Sequence, residues 1–111
     1  MVQGLDKMRP ASVNYTERDV DRQFVAACKL EGWQTIKLTK FGTLRRVGWP
    51  DRLVLLGDGQ VAFVAIKAAW RRPTALQRKH IDKLQTLGYD VWVVCSPRRI
   101  KLCCDSLRAR V

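Results

Sequence analysis

Acidic residues are scarce in this chain. Ten Asp and Glu stand against 21 Lys and Arg in 111 residues, a formal net charge of +11. Histidine occurs once, as His80, and the four cysteines, Cys28, Cys95, Cys103 and Cys104, form no C-x-x-C pair. A structural zinc site, which needs four Cys or His ligands at characteristic spacings, therefore finds no support. Reduced, partly buried thiols are the simpler account, and they suit a cytoplasmic protein. No apolar run approaches the roughly 18 residues of a membrane span. The opening MVQGLDKMRP also lacks the apolar core of a signal peptide. The expected location is the cytoplasm, and no membrane partner is expected.

What is present points to a polyanion. So large a positive excess in a chain the size of one domain favours nucleic acid, where counterion release from phosphates drives binding. A membrane surface is the lesser candidate, because neither a basic amphipathic helix nor a lipidation signal is visible. At 47% hydrophobic residues the chain has enough apolar material for a small single core.

The chain divides into residues 1–14, a loose N-terminal arm with Pro10 and few apolar anchors, and one domain over 15–111. Thr16 caps a helix over 17–31, with Val20, Phe24, Ala27 and Cys28 at helical spacing and Gly32 at its end. A loose alternation from Trp33 to Thr39 predicts a strand. Residues 40–50, KFGTLRRVGWP, read as a basic loop. Two apolar runs, Arg52 to Leu56 and Gln60 to Lys67, flank Gly57-Asp58-Gly59 and predict a hairpin. Both faces of these runs are apolar, as in a sheet covered on two sides. After a second basic loop at 68–73, Thr74 caps a helix over 75–87 with a stripe of Leu76, His80, Ile81, Leu84 and Leu87. Tyr89 to Cys95 predicts another buried strand, and Ser96-Pro97 opens a weaker last helix. Cys103-Cys104 gives no periodic signal, so the fold of 96–111 is left open. The order α-β-β-β-α-β-α, with a right-handed βαβ crossover over 61–95, predicts an α/β fold with a mixed sheet between helices.

Register decides whether the hairpin carries a site. A three-residue loop at 57–59, with Gly59 left-handed, pairs Leu56 with Gln60 and hence Asp51 with Ala65. Lys67, two residues on, shares that face. One carboxylate, one methyl and one ammonium then meet at one sheet edge. An acid in place of Ala65 would complete a hard-cation site for Mg²⁺ or Mn²⁺. There, a metal would polarise a phosphodiester, and Lys67 would orient the attacking water and stabilise the developing charge.

The segments Gly48-Trp49-Pro50-Asp51-Arg52, Val64-Ala65-Ile66-Lys67 and Thr74-Ala75-Leu76-Gln77-Arg78 resemble the VRR-NUC family, the virus-type replication-repair nucleases among the PD-(D/E)-x-K enzymes. The resemblance runs from about Thr16 to Val94. It implies a restriction-endonuclease-like core, Mg²⁺ or Mn²⁺ as cofactor, and cleavage of DNA phosphodiesters. It also implies that Asp51 is a metal ligand, that the carbonyl of Ile66 is another, and that Lys67 is the motif lysine. Gln77 is implied to help arrange the site, and Glu17 to reach the metal through water. Stand-alone members this short resemble homodimers that cut four-way (Holliday) junctions.

The departure is Ala65, which stands where the family has Glu. An introduced Glu→Ala substitution, favoured by the intact Asp51, Lys67 and Gln77, and a natural lineage that kept binding and lost cleavage are both open. Either way metal affinity is expected to be weakened and cleavage impaired. Lys40, Arg45, Arg46, Arg71, Arg72 and Arg78 flank the motif and are expected to contact DNA phosphates. Trp49 and Trp70 are expected to pack, and His80 to be packed or solvated. The alternative reading is a non-catalytic basic module that binds branched DNA; a basic RNA-associated domain would leave the Asp51–Lys67 pairing without a purpose.

Overall fold

The computed structural model describes residues 15–38, 48–69 and 71–110. The expected N-terminal arm lies outside them, as do Lys40, Arg45, Arg46 and Trp70. The order of elements is α1 (Glu17–Glu31), β1 (Gln34–Lys37), β2 (Arg52–Gly57), β3 (Gln60–Ile66), α2 (Ala75–Thr86), β4 (Asp90–Val94) and α3 (Pro97–Arg108). The strands form one sheet in the order β1-β2-β3-β4. The first three are antiparallel neighbours, and β4 runs parallel to β3 after the crossover through α2. This is the α/β, mixed-sheet architecture that the apolar patterning predicts. Among the described residues no helix is long and apolar enough to cross a membrane.

Helix α1 starts where its capping chemistry dictates. The Thr16 hydroxyl accepts from the Asp19 amide, and the Asp19 carboxylate accepts from the Thr16 amide, satisfying two otherwise orphaned donors. Helix α2 repeats the device with Thr74 and Gln77. The core lies between the sheet and the α1–α3 pair. Val20, Phe24 and Cys28 from α1 meet Val54, Ala62, Val64, Ile66 and Val94 from the sheet, and Ile100, Cys103, Cys104 and Leu107 close it from α3. Burying each large member contributes about 1.5–3 kcal/mol before entropy is charged against it.

Three expectations need correction. The last helix is not weak: it runs twelve residues and buries four of them. Cys103 and Cys104 are part of its stripe, because a free cysteine packs as a small apolar group. The second face of the sheet is less fully covered than its apolar residues suggest. Leu53, Leu55, Val61 and Phe63 are only half-buried there, and α2 buries Ile81 and Leu84 while Leu76 and Leu87 stay exposed. The turn also differs. Gly57 pairs with Gln60, so the loop is the two residues Asp58 and Gly59, both at positive φ (51° and 75°), as a tight primed turn requires. An irregularity between Leu55 and Gly57 absorbs Leu56. The strands therefore return to the expected register, with Leu55 opposite Val61 and Arg52 opposite Val64.

Candidate active site

Carried one step beyond Arg52–Val64, that register sets Asp51 across from Ala65. The chain approaches Asp51 through a tightly packed segment. Gly48 has φ +87°, and a Cβ on it would sit 2.8 Å from Leu76 Cγ and 2.9 Å from His80 Cδ2, so helix α2 can lie against this segment only over a glycine. The Trp49 ring packs edge-on to Phe63 at 6.5 Å and tilted on His80 at 5.8 Å, which accounts for both residues as packing groups. Pro50 is fully buried.

Asp51 is then held from two sides. Its carbonyl accepts from the Leu38 amide at 2.8 Å, and its Oδ2 accepts from the Ile66 amide at 2.7 Å. Lys67, the residue after β3, donates its amide to the Val94 carbonyl at 2.9 Å. The Ala69 amide reaches the Tyr15 carbonyl at 3.0 Å, which ties the outgoing loop to the segment entering α1. That tie brings Glu17, in the first turn of α1, to the same end of the sheet.

Lys67 acts on both carboxyls, and Asp51 acts on Glu17. Burial pushes the Asp51 carboxyl above the usual aspartate range, although the Ile66 hydrogen bond and the Lys67 ammonium both pull it down. Glu17 is also raised, first by partial burial and next by the Asp51 charge, against the pull of Lys67. A cation between these carboxyls is thus favoured by charge. The donor set is nevertheless short. Ala65 presents a methyl group, 2% exposed, at the position across from Asp51. Among the described residues no group of three or more His, Cys, Asp or Glu gathers to hold a metal ion. The described side chains do not complete a divalent-cation site.

The other expected residues are placed as follows. Ile66 is seen at the site through its amide, given to Asp51. Gln77 uses its side-chain oxygen to accept from the Thr74 amide at 2.8 Å, a cap on α2, and among the described residues it bonds to neither Asp51 nor Lys67. Arg71, Arg72 and Arg78 gather on one open cleft, and Arg98 and Arg99, which the sequence reading did not single out, line it too. Sequence reading also missed the Arg52–Asp21 pair. Arg52 donates to both Asp21 oxygens, at 2.7 and 2.8 Å, and bolts α1 to β2 one residue from Asp51. The signals were an aspartate on the inner side of α1 and an arginine beginning an apolar strand.

No family model matches the sequence. Over 57 residues the chain is 42% identical to "Putative nuclease p44" of Acyrthosiphon pisum secondary endosymbiont phage 1, a match covering 51% of this chain. It spans 61% of that relative's length. A solved structure described as a VRR_NUC domain is similar to this fold with a TM-score of 0.71 and 26% identity, covering 81% of this chain and 96% of the solved one.

Proposed function

We propose that the chain is a nuclease of the VRR-NUC type, in keeping with its likeness to a VRR_NUC domain and to a putative phage nuclease, and that it is a structure-directed DNA endonuclease domain whose cleavage is impaired by Ala65. The observation that carries this reading is the meeting of Asp51, Glu17 and Lys67 at the carboxyl end of β3, with a methyl group where a further acid belongs. Lys67 holds its ammonium against the scissile phosphate and offsets charge that develops there. Asp51, fixed by the Ile66 amide, faces position 65 across the hairpin. With Glu at position 65, that Glu and Asp51 would hold Mg²⁺ or Mn²⁺, which would supply Lewis-acid polarisation of the phosphodiester. Its substrate is branched DNA, a four-way junction above all, and two copies of the chain act together so that the junction receives two symmetric cuts.

Ala65 itself favours a second reading, a module that binds branched DNA and does not cut it. One experiment separates the two. Ala65→Glu is incubated with labelled four-way junctions and Mn²⁺ beside the Ala65 chain, with sedimentation of each complex. Cutting by Ala65→Glu alone, abolished again by adding Lys67→Ala, supports the nuclease. An Ala65→Glu protein that folds, binds the junction and leaves it whole makes the chain a binding module. A protein that stays monomeric on the junction removes the dimer from the proposal.

A further inference from the structure

Strands β3 and β4 are parallel neighbours, so the segments that follow them leave the same end of the sheet. Such a place gathers ligand-binding groups from loops far apart in sequence. Here it gathers arginines. Arg71 and Arg72 follow β3, Arg98 and Arg99 begin α3 just after β4, and Arg78 comes from the first turn of α2; all five line one open cleft. All five are exposed. Among the described residues Arg71, Arg72, Arg98 and Arg99 have no acidic partner, and Arg78 reaches only Asp82, at 4.0 Å.

Of the other described arginines, all but Arg18 are paired. Arg22, Arg52, Arg108 and Arg110 all sit on carboxylates. Five guanidinium groups gathered with almost no counter-charge repel one another and focus a positive potential in the cleft. The amino end of α3 adds to it: Ser96 caps that helix, and its first turn carries no acid. At about 1260 Å³ the cleft exceeds what a single phosphate or a small ligand fills, which points to a polymer. Among the described residues Tyr15 is the one aromatic lining it, and the guanidinium groups outnumber it five to one.

We propose that this cleft holds the sugar-phosphate backbone of a DNA arm leading away from the Asp51–Lys67 site, without reading its sequence. The proposal rests on the DNA-directed function above and adds a second contact surface to it. Guanidinium forks suit phosphate oxygens, and contacts of this kind position a duplex rather than specify a sequence.

The test is equilibrium binding of the Ala65 chain to a labelled four-way junction over a range of salt concentrations. Two paired variants, Arg98→Ala/Arg99→Ala and Arg71→Ala/Arg72→Ala, are compared with Lys29→Ala/Lys83→Ala, which removes the same charge outside the cleft. Each cleft pair is expected to reduce the slope of log affinity against log salt by about 2 per bound copy, one for each lost phosphate contact. It is expected to do so equally on two junctions of unrelated sequence, while the control pair leaves the slope close to that of the parent. Folding is checked by circular dichroism, and the four arginines lie on the surface. If both cleft pairs behave like the control while the parent still binds, the cleft assignment is wrong and the DNA-directed function stands. A parent that binds no DNA removes both.

Discussion

The Asp51 carboxylate accepts a 2.7 Å hydrogen bond from the Ile66 amide, so the acid that precedes β2 is anchored to the strand that carries position 65. This bond fixes the carboxylate across the hairpin. The anchoring has a cost, because the carboxylate is half-buried beside Glu17. Sites that hold a raised carboxyl commonly give up stability for chemistry.

That cost sets a pH dependence. The folded pKa of Asp51 lies above its unfolded value, so the folded state binds more protons, and stability on this account is highest below the unfolded pKa of about 3.9. It falls as pH rises through the raised folded value. Asp51→Asn keeps an acceptor for the Ile66 amide and carries no charge. Thermal melts are expected to show Asp51→Asn more stable than the parent at pH 7, with the difference closing near pH 4. A parent that is the more stable at pH 7 would contradict the assignment.

Asp21 behaves in the opposite sense. The Arg52 guanidinium hydrogen-bonds its carboxylate and holds it below the usual range. Its contribution is therefore present above about pH 4 and lost as pH falls through the depressed folded value. Asp21→Ala leaves Arg52, with its side chain 13% exposed, without that partner. The expected loss at pH 7 is about 2 kcal/mol in denaturant unfolding, below the figure for a fully buried pair because solvent reaches Asp21. Adding Arg52→Met should recover part of it; a double variant as unstable as the sum of the two singles would show that the pair is not coupled.

Gly48→Ala tests the approach of α2 to the Asp51 segment. The new methyl would meet Leu76 and His80 well inside van der Waals contact at a backbone angle that L-residues rarely adopt. The strain and overpacking together are expected to cost about 2–4 kcal/mol. With Glu placed at position 65, this variant should also cut more slowly than Ala65→Glu alone, since Trp49, Pro50 and Asp51 follow directly. A melting temperature equal to the parent's would mean that the contact is slack.

Thiol reactivity reports on the core. Cys28, Cys103 and Cys104 are buried between α1 and α3, while Cys95 is half-buried at the cleft. Burial pushes Cys103 up to about 12; the hydrogen bond with Cys104 and then burial raise Cys28, while the same bond lowers Cys104, which only its burial shields from reagent. A thiol reagent at pH 8 is expected to modify Cys95 in the native protein and the other three only after denaturation. Four equivalents reacting at one rate in native buffer would contradict this packing.

Much of the fold was legible because each element carries its own signals. Thr16 and Thr74 mark the helix starts through local hydrogen bonds, and the apolar runs on either side of Gly57-Asp58-Gly59 mark the hairpin. The register came out as expected by a different route, a two-residue turn compensated by an irregularity at Leu56, because sequence does not say where a strand absorbs an extra residue. The stripe of α3 was hidden because Cys103 and Cys104 were not counted as apolar, although Ile100, Cys103, Cys104 and Leu107 recur at helical spacing. Gln77 matched a motif position, yet the bond the structure gives it is the cap on Thr74. A side chain at the third position of a helix can serve its own backbone or a distant site, and spacing does not distinguish the two.

The sequence alone determined the charge excess, the helix caps, the apolar strands, and the alanine at position 65 between Asp51 and Lys67 in the motif. These are properties of composition and of neighbours along the chain. Tertiary structure alone decided that Glu17 shares a field with Asp51, that Asp21 clasps Arg52, and that Arg71 and Arg72 face the same cleft as Arg98 and Arg99. Those pairs lie far apart in sequence, and only the pairing of β3 with β4 and the packing of α1 on the sheet bring their charges within reach of one another.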